Sequence, residues 1–145
     1  MEAKPIPSGY HTITPYVLVK GGTPFINFLK RAFNAKEISK SETPDGTIMN
    51  AEIKIGDSMM MLADAVREYT PSQASFYLYV ENTDLMYKQA IDSGAVSIME
   101  PADQFYGDRN AGVKDPFGNT WWIATHIEDV SEEEMKKRAE ARNKN

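Results

Sequence analysis

The sequence repeats one order of predicted elements twice, and this repeat constrains the fold more than any other feature. Residues 12–64 have the pattern of a strand, a helix and three strands, and residues 75–127 have the same pattern about 60 positions later. The repeat is also in register, since Val19 and Val80 end the two first strands. It predicts an α+β protein of two tandem βαβββ modules, whose curved mixed sheets surround a concave pocket with the helices outside.

Local signals give the bounds of the elements. Thr23 is the predicted N-cap of the first helix, Pro24 its first helical residue, and Gly94 the end of the second helix. Apolar residues recur through the first helix at the 3.6-residue period, which predicts one buried face. The second helix covers residues 82–93, and the predicted strands cover residues 12–20, 35–42, 47–55, 58–64, 75–81, 95–100, 109–114 and 120–126.

Three segments lie outside the modules. Residues 1–11 are rich in Pro and Gly and are predicted to be a loose leader, and residues 65–74 are a polar linker. Residues 128–145 contain a C-terminal helix, which begins at a capping box of Ser131 and Glu134. Nearly all of this helix is charged residues and alanine, so we expect it at the surface.

Composition excludes several classes of function. The chain has no cysteine and two histidines, which rules out disulfides, thiolate sites and any site of three imidazoles. A net charge of −5 argues against a nucleic-acid surface. No apolar run approaches the roughly 20 residues of a membrane helix, and we expect a cytoplasmic protein without membrane or nucleic-acid partners.

Alternation along the strands separates two kinds of sheet face. In the fifth strand Phe76, Leu78 and Val80 form an apolar face, and Tyr77 and Tyr79 point to the other side with Ser75. The last strand alternates in the same way, with Trp122 and His126 on the second face. This pattern predicts an aromatic, semi-polar concavity that binds a ligand. A dimer interface or an exposed surface would give the same alternation.

Four motifs then resemble a known family. They are YVLVKGGTPFINFLKRAFNAK, IGDSMMMLAD, YVENTD and DPFGNTWWIATH, and together they cover about residues 12–129. They are similar to the vicinal oxygen chelate superfamily of glyoxalase I, bleomycin-resistance proteins and extradiol dioxygenases, and most of all to its PhnB-like subgroup. The resemblance implies a homodimer that binds a small molecule.

The same resemblance implies a divalent metal held by His, Glu or Gln on four strands. The matching positions here hold Pro15, Met61, Ser75 and Trp122, which are poor or impossible ligands for such a metal. We therefore expect no metal site of the usual kind, no cofactor, and neither glyoxalase I nor ring-cleaving activity.

Three functional hypotheses remain. The first is a homodimeric small-molecule-binding protein of undefined activity. The second is an enzyme, a lyase or isomerase, that uses Glu52 and His126 as catalytic residues or as non-standard ligands of a divalent metal. The third is a protein without a ligand, whose aromatic face only forms the dimer. Arg109 could hold a carboxylate or phosphate, or form a salt bridge within its loop. The predicted ligand-binding residues are Asn50, Met59, Met61, Ser75, Tyr77, Tyr79, Arg109 and Trp122.

Overall fold

The computed structural model describes residues 2–66 and 70–143, and the chain divides into two compact units, Met1–Ala74 and Ser75–Asn145. The first unit contains four strands and one helix in its described residues. These elements are β1 (Tyr16–Val19), α1 (Gly22–Phe33), β2 (Lys36–Glu42), β3 (Ile48–Ile55) and β4 (Ser58–Asp64).

The second unit repeats this order and adds a helix. Its elements are β5 (Ser75–Tyr79), α2 (Thr83–Asp92), β6 (Val96–Asp103), β7 (Asp108–Lys114), β8 (Thr120–His126) and α3 (Glu132–Asn143). No helix in the described part of the chain is long and apolar enough to cross a membrane.

The two sheets have the same topology. The strand order is β1-β4-β3-β2 in the first sheet and β5-β8-β7-β6 in the second. In each sheet the first and last strands of the module pair in parallel, and the other pairs are antiparallel. The prediction of an α+β fold with two βαβββ modules and a C-terminal helix is confirmed.

Helix α1 packs its apolar face on the first sheet. Phe25, Phe28 and Leu29 are buried on this helix, and Ile53 and Leu62 are buried on the strands β3 and β4 that it contacts. Alternation on β4 also decides the positions of its three methionines, because Met60 lies in this core and its neighbours point to the other face. The 3.6-residue period of α1 therefore predicted the buried face correctly.

The prediction that Thr23 caps α1 is wrong. The N-cap is Gly21, and the helix begins at Gly22. The cap group comes from the end of β4, where Asp64 Oδ1 accepts a hydrogen bond from Gly22 N at 2.6 Å and Oδ2 accepts one from Ile48 N at 2.6 Å. A Cβ at position 22 would lie 2.8 Å from Ile48 Cγ1, so the close approach requires glycine.

The second unit uses the equivalent positions, each 61 residues later. The hydroxyl of Thr125, at the end of β8, accepts a hydrogen bond from Thr83 N at 3.1 Å at the start of α2. The side chain of Asn82 adds a conventional cap by accepting from Leu85 N at 3.1 Å. Both helices are thus joined at their N-termini to the last strand of their own module.

Eight strand boundaries differ from the prediction, and three of these differences affect the description of the sheets. Strand β1 begins at Tyr16, four residues later than predicted. Strand β6 continues to Asp103, with irregular pairing around Pro101, which lacks the N–H that a ladder needs. Strand β7 begins at Asp108, one residue earlier than predicted, so Asp108 is part of the sheet.

Candidate functional site

One face of the second sheet collects most of the predicted aromatic residues. Strand pairing places Tyr77 beside Trp122, and Asp108 beside His126. Period-2 alternation then puts six residues of the three adjacent strands on one side of the sheet. We call this surface the tyrosine face, and it consists of Tyr77, Tyr79, Asp108, Asn110, Trp122 and His126.

Asp108 is the centre of the tyrosine face. It is buried, and its Oδ2 accepts hydrogen bonds from the hydroxyl of Tyr77 at 2.7 Å and from the hydroxyl of Tyr79 at 3.1 Å. Its Oδ1 lies 2.9 Å from Nδ1 of His126. The other ring nitrogen of His126 lies 2.7 Å from Oδ1 of Asp129, a carboxylate that is fully exposed. One carboxylate therefore fixes two phenols and one imidazole.

Asn110 joins a third phenol to this group. Its Nδ2 donates to the hydroxyls of Tyr77 at 3.1 Å and of Tyr106 at 2.6 Å. Asn110 is only 3 % exposed, and its Oδ1 has no hydrogen-bond partner among the described residues. Buried polar atoms nearly always have partners, so this acceptor marks an incomplete environment.

The network shifts the pKa values of its members. Burial works to raise the pKa of Asp108, but hydrogen bonds from Tyr77, His126 and Tyr79 outweigh it, and the pKa is lowered overall. Asp129 and then Asp108 raise the pKa of His126 by hydrogen bonding to its ring. Burial and the bond to Asp108 raise the pKa of Tyr77. The face thus combines a carboxylate, an imidazole that favours its charged form, and neutral phenols.

Trp122 lies against a glycine on the neighbouring strand. A Cβ on Gly112 would approach Cζ3 of the Trp122 ring to 2.5 Å, so the indole occupies the place of a side chain. On the opposite side of the sheet Trp121 is buried, stacks on Phe76 with ring centroids 4.3 Å apart, and donates from Nε1 to Asp115 Oδ2 at 2.9 Å. The two adjacent tryptophans therefore have different roles, one in the core and one on the tyrosine face.

The first sheet has a polar face of different composition. Strand pairing and alternation place Glu52 on one side of the sheet with Asn50, Met59 and Met61, all of them half-buried. Glu52 accepts hydrogen bonds from Tyr10 and from Ser39, the second at 2.5 Å. Tyr10 lies in the predicted leader, so part of that segment is attached to the sheet. Burial and the contact with Glu52 raise the pKa of Tyr10 to about 12.

The structure does not bring Arg109 to the tyrosine face. Arg109 pairs with Thr125 across the strands and therefore points to the side of the sheet that α2 covers. Its guanidinium contacts Asp84 of α2 at 3.0 Å and Asp103 of β6 at 3.1 Å. The side of the sheet follows from the register of β7 with β8, because pairing of Asp108 with His126 puts Asp108 and Asn110 on the tyrosine face. The sequence left open a salt bridge within the loop of Arg109, and the structure shows salt bridges to α2 and to β6 instead.

The predicted catalytic pair has separate partners in the two units. Glu52 accepts from Tyr10 and Ser39, and His126 contacts Asp108 and Asp129. Each group is thus fixed by its own sheet. Ser75, another predicted ligand-binding residue, is exposed on β5 opposite Thr120.

The residues at the metal positions of the resemblance do not fit a divalent cation. Pro15 and Trp122 offer no side-chain ligand, the sulfur of Met61 is too soft, and Ser75 offers a single hydroxyl. His126 lies between its two carboxylates, with a different ring nitrogen toward each, so the three groups do not converge on one point. In residues 2–66 and 70–143, no three His, Cys, Asp or Glu side chains form a metal-binding group.

Sequence reasoning missed four polar residues of the site. They are Tyr106, Asp108, Asn110 and Asp129. The signal for two of them was present, because DRNAGVK alternates between Asp, Asn, Gly and Lys on one face and Arg, Ala and Val on the other. Tyr106 and Asp129 lie outside the strands, where alternation carries no information.

Comparison with known proteins places the fold in a family. A family model described as the Glyoxalase/Bleomycin resistance protein/Dioxygenase superfamily matches residues 12–123. The uncharacterized protein Mb0911c of Mycobacterium bovis is 28% identical over 135 residues, which cover 86% of this chain and 89% of that protein.

Solved structures show the same fold. The product of the Arabidopsis thaliana gene At5g48480 superposes with a TM-score of 0.64 at 23% identity, over 79% of this chain and 98% of that chain. The PhnB protein of Bacillus cereus superposes with a TM-score of 0.65 at 16% identity, over 79% and 99% of the two chains. The expected likeness to PhnB-like proteins is confirmed at the level of the fold.

Proposed function

We propose that this chain, which belongs to the Glyoxalase/Bleomycin resistance protein/Dioxygenase superfamily, binds a small molecule on its tyrosine face. The observation that carries the proposal is the state of Tyr77 and Tyr79. They are 44% and 62% exposed, yet Asp108 holds both hydroxyls. Large aromatic surface that is exposed and already ordered binds a ligand with little loss of side-chain entropy.

The composition of the face suits a flat or bulky ligand. Trp122 and the two tyrosines supply aromatic surface, and the ring centroids of Tyr77 and Tyr79 lie 5.2 Å apart with a tilt of 57°. Met59 and Met61, the predicted ligand-binding methionines, lie on the polar face of the first sheet and belong to a separate surface. We propose that the tyrosine face binds the ligand without a metal cofactor, in a cytoplasmic homodimer.

An NMR titration tests the proposal. Addition of 2-naphthol to the ¹⁵N-labelled full chain should shift the Trp122 indole N–H and the amides of β5. Tyr79→Leu should weaken this binding about 5- to 10-fold, since the loss of one aromatic contact costs roughly 1 kcal/mol. Tyr87→Leu is the matched control, because Tyr87 lies on α2 and its hydroxyl contacts Ser97 at 2.7 Å. Shifts that spread over both units, or an equal effect of both variants, would contradict the proposal.

The homodimer has its own test. Light scattering at micromolar concentration should give twice the chain mass of 16.3 kDa. A dimer that dissociates in Tyr79→Leu, together with no response to 2-naphthol, would favour the third hypothesis, in which the aromatic face only joins two chains. A monomer at this concentration would remove the dimer from the proposal and leave the binding site to be tested by the titration.

One observation favours an enzyme as the second candidate. Buried Asp108 holds Nδ1 of His126, and the other ring nitrogen meets only the exposed carboxylate of Asp129. Such an imidazole can move a proton at Nε2 in a lyase or isomerase reaction. Turnover of a bound carbonyl compound that His126→Gln abolishes, with binding retained, would establish this candidate.

A further inference from the structure

We infer that the ligand of the tyrosine face is an organic cation, of the class of alkylated or aromatic ammonium compounds. The inference rests on the proposed function and specifies the charge of the ligand. It starts from two carboxylates, Asp108 and Asp129, and from the rings of Tyr77 and Tyr79, which stay exposed while their hydroxyls donate to Asp108.

The carboxylates outnumber the cations of the face. Asp108 and Asp129 carry two negative charges, and His126 carries at most one positive charge and has a carboxylate at each ring nitrogen. The buried Oδ1 of Asn110 adds the negative end of an amide dipole that no described donor neutralises. The group of Asp108, Asp129 and His126 therefore has a net charge of −1 when His126 is charged and −2 when His126 is neutral.

Other basic side chains of the second sheet do not compensate. Arg109 lies on the opposite side of the sheet, where it contacts Asp84 and Asp103. Lys114 shares the side of Asp108, but it is exposed at the far end of β7, six residues or about 20 Å away. The charge of Arg109 is already balanced by two carboxylates, and Lys114 lies beyond the roughly 8 Å over which charges act at physiological ionic strength.

The rings themselves favour a cation. An aromatic face carries negative charge, and a cation within about 6 Å of the ring centroid is attracted to it. The hydroxyls of Tyr77 and Tyr79 both donate to the carboxylate of Asp108, which increases the electron density of the rings. The two ring centroids lie 5.2 Å apart, near enough for one compact ammonium group to contact both rings. Asp129, fully exposed, adds a carboxylate at Nε2 of His126.

Three probes with one carbon skeleton test the charge. They are choline, the neutral 3,3-dimethylbutan-1-ol and the anionic 3,3-dimethylbutanoate, each titrated by NMR into the full chain. Choline should bind about 2- to 30-fold more tightly than the alcohol, because cation–π contacts contribute about 0.5–2 kcal/mol. The anion should bind least. The inference is wrong if the alcohol or the anion equals choline.

Two variants test which residues produce the preference for a cationic ligand. Tyr79→Leu removes one of the two rings and should reduce the preference for choline over the alcohol, and Tyr87→Leu on α2 should leave this preference unchanged. Asp129→Asn keeps the shape of the side chain and removes an exposed charge, so it should weaken the binding of choline but not the binding of the alcohol. An equal loss of all probes in Tyr79→Leu would contradict the charge assignment.

The results separate this inference from the proposed function. If 2-naphthol binds at Tyr79 and choline binds no better than the alcohol, the small-molecule site stands and the cation is wrong. If neither 2-naphthol nor any of the three probes shifts the resonances of the tyrosine face, the proposed function fails as well. Spectra of each variant matching the wild type away from β5 show that the fold is retained.

Discussion

Asp108→Asn removes the charge at the centre of the tyrosine face and keeps the size of the side chain. Asp108 accepts hydrogen bonds from Tyr77 and Tyr79 and contacts Nδ1 of His126. An amide at this position keeps one acceptor and gains two donors, which the donors already present cannot satisfy. We expect a less stable protein and a His126 with a lower pKa.

The magnitude follows from the exposure of the three partners. A hydrogen bond to a charged group contributes roughly 1.5–3 kcal/mol when it is buried. The bond from Tyr77 is the least accessible to water, since Asn110 also holds that hydroxyl. Tyr79 and His126 are half exposed or more and regain water, so their bonds count for about 0.5 kcal/mol each. We expect a loss of about 2 kcal/mol in the free energy of unfolding, after allowing for the acceptor that asparagine keeps.

Urea unfolding at pH 7 measures this loss, and ¹H NMR of the imidazole measures the pKa of His126. With a slope near 2 kcal/mol/M, the unfolding midpoint should fall by about 1 M. Asp103→Asn is the matched control, because Asp103 is an exposed carboxylate in a salt bridge with Arg109, and it should cost less than about 0.5 kcal/mol. If the two variants have equal stability and the pKa of His126 is unchanged, Asp108 does not organise the face.

Three further predictions concern the framework and the charge of the protein. Asp64→Ala should lower the free energy of unfolding by about 3 kcal/mol, because two buried backbone N–H groups lose a charged acceptor. The control Asp92→Ala removes an exposed ion pair with Lys88 and should cost less than about 0.5 kcal/mol in the same urea assay. Arg138→Ala should increase amide hydrogen exchange in residues 104–107, whose loop this guanidinium holds by a 3.1 Å bond to a backbone carbonyl, and Lys137→Ala on the exposed side of α3 should not. The stability of the wild type relative to His126→Gln should be largest below the unfolded histidine pKa of about 6.5 and decline as the pH rises through the raised folded pKa, as pH-dependent unfolding would measure.

The repeat and the strand alternation were sufficient to predict the fold. The order of the elements along the chain, the helix positions and the core face of α1 follow from local patterns, and the structure agrees with them. The N-cap of α1 was not predictable in this way. Asp64 reaches Gly22 across 42 residues, and a cap that comes from another strand leaves no signal near the start of the helix. Thr23 followed by Pro24 gave a local signal that the distant carboxylate overrides.

The site was predictable as a set of aromatic residues and not as a network. Alternation placed Tyr77, Tyr79 and Trp122 on one face, as the structure has them. The partner of the two hydroxyls depends on the register between β7 and β8, which the sequence of β7 alone does not give. A shift of one residue exchanges Asp108 and Arg109 between the two sides of a strand, which would reverse the charge of the site.

Comparison of equivalent positions in the two units distinguishes residues that the fold requires from residues that ligand binding requires. The helix-to-strand connection appears in both units with the same spacing, as Asp64 to Gly22 and as Thr125 to Thr83, so different side chains satisfy one structural requirement. The polar faces do not match in this way. The pair of Glu52 and Met61 in the first sheet corresponds in register to Gly112 and Trp122 in the second. The two sheets have the same topology, so the fold does not require different residues at these positions. Either pair can form the same backbone hydrogen bonds between its strands. The glycine provides space for the indole, and the carboxylate of the second face is Asp108, four residues earlier on β7, where it accepts hydrogen bonds from the phenols. We infer that this divergence between equivalent positions reflects ligand chemistry, and that substitutions in the second face will change binding more than they change folding, Asp108 excepted.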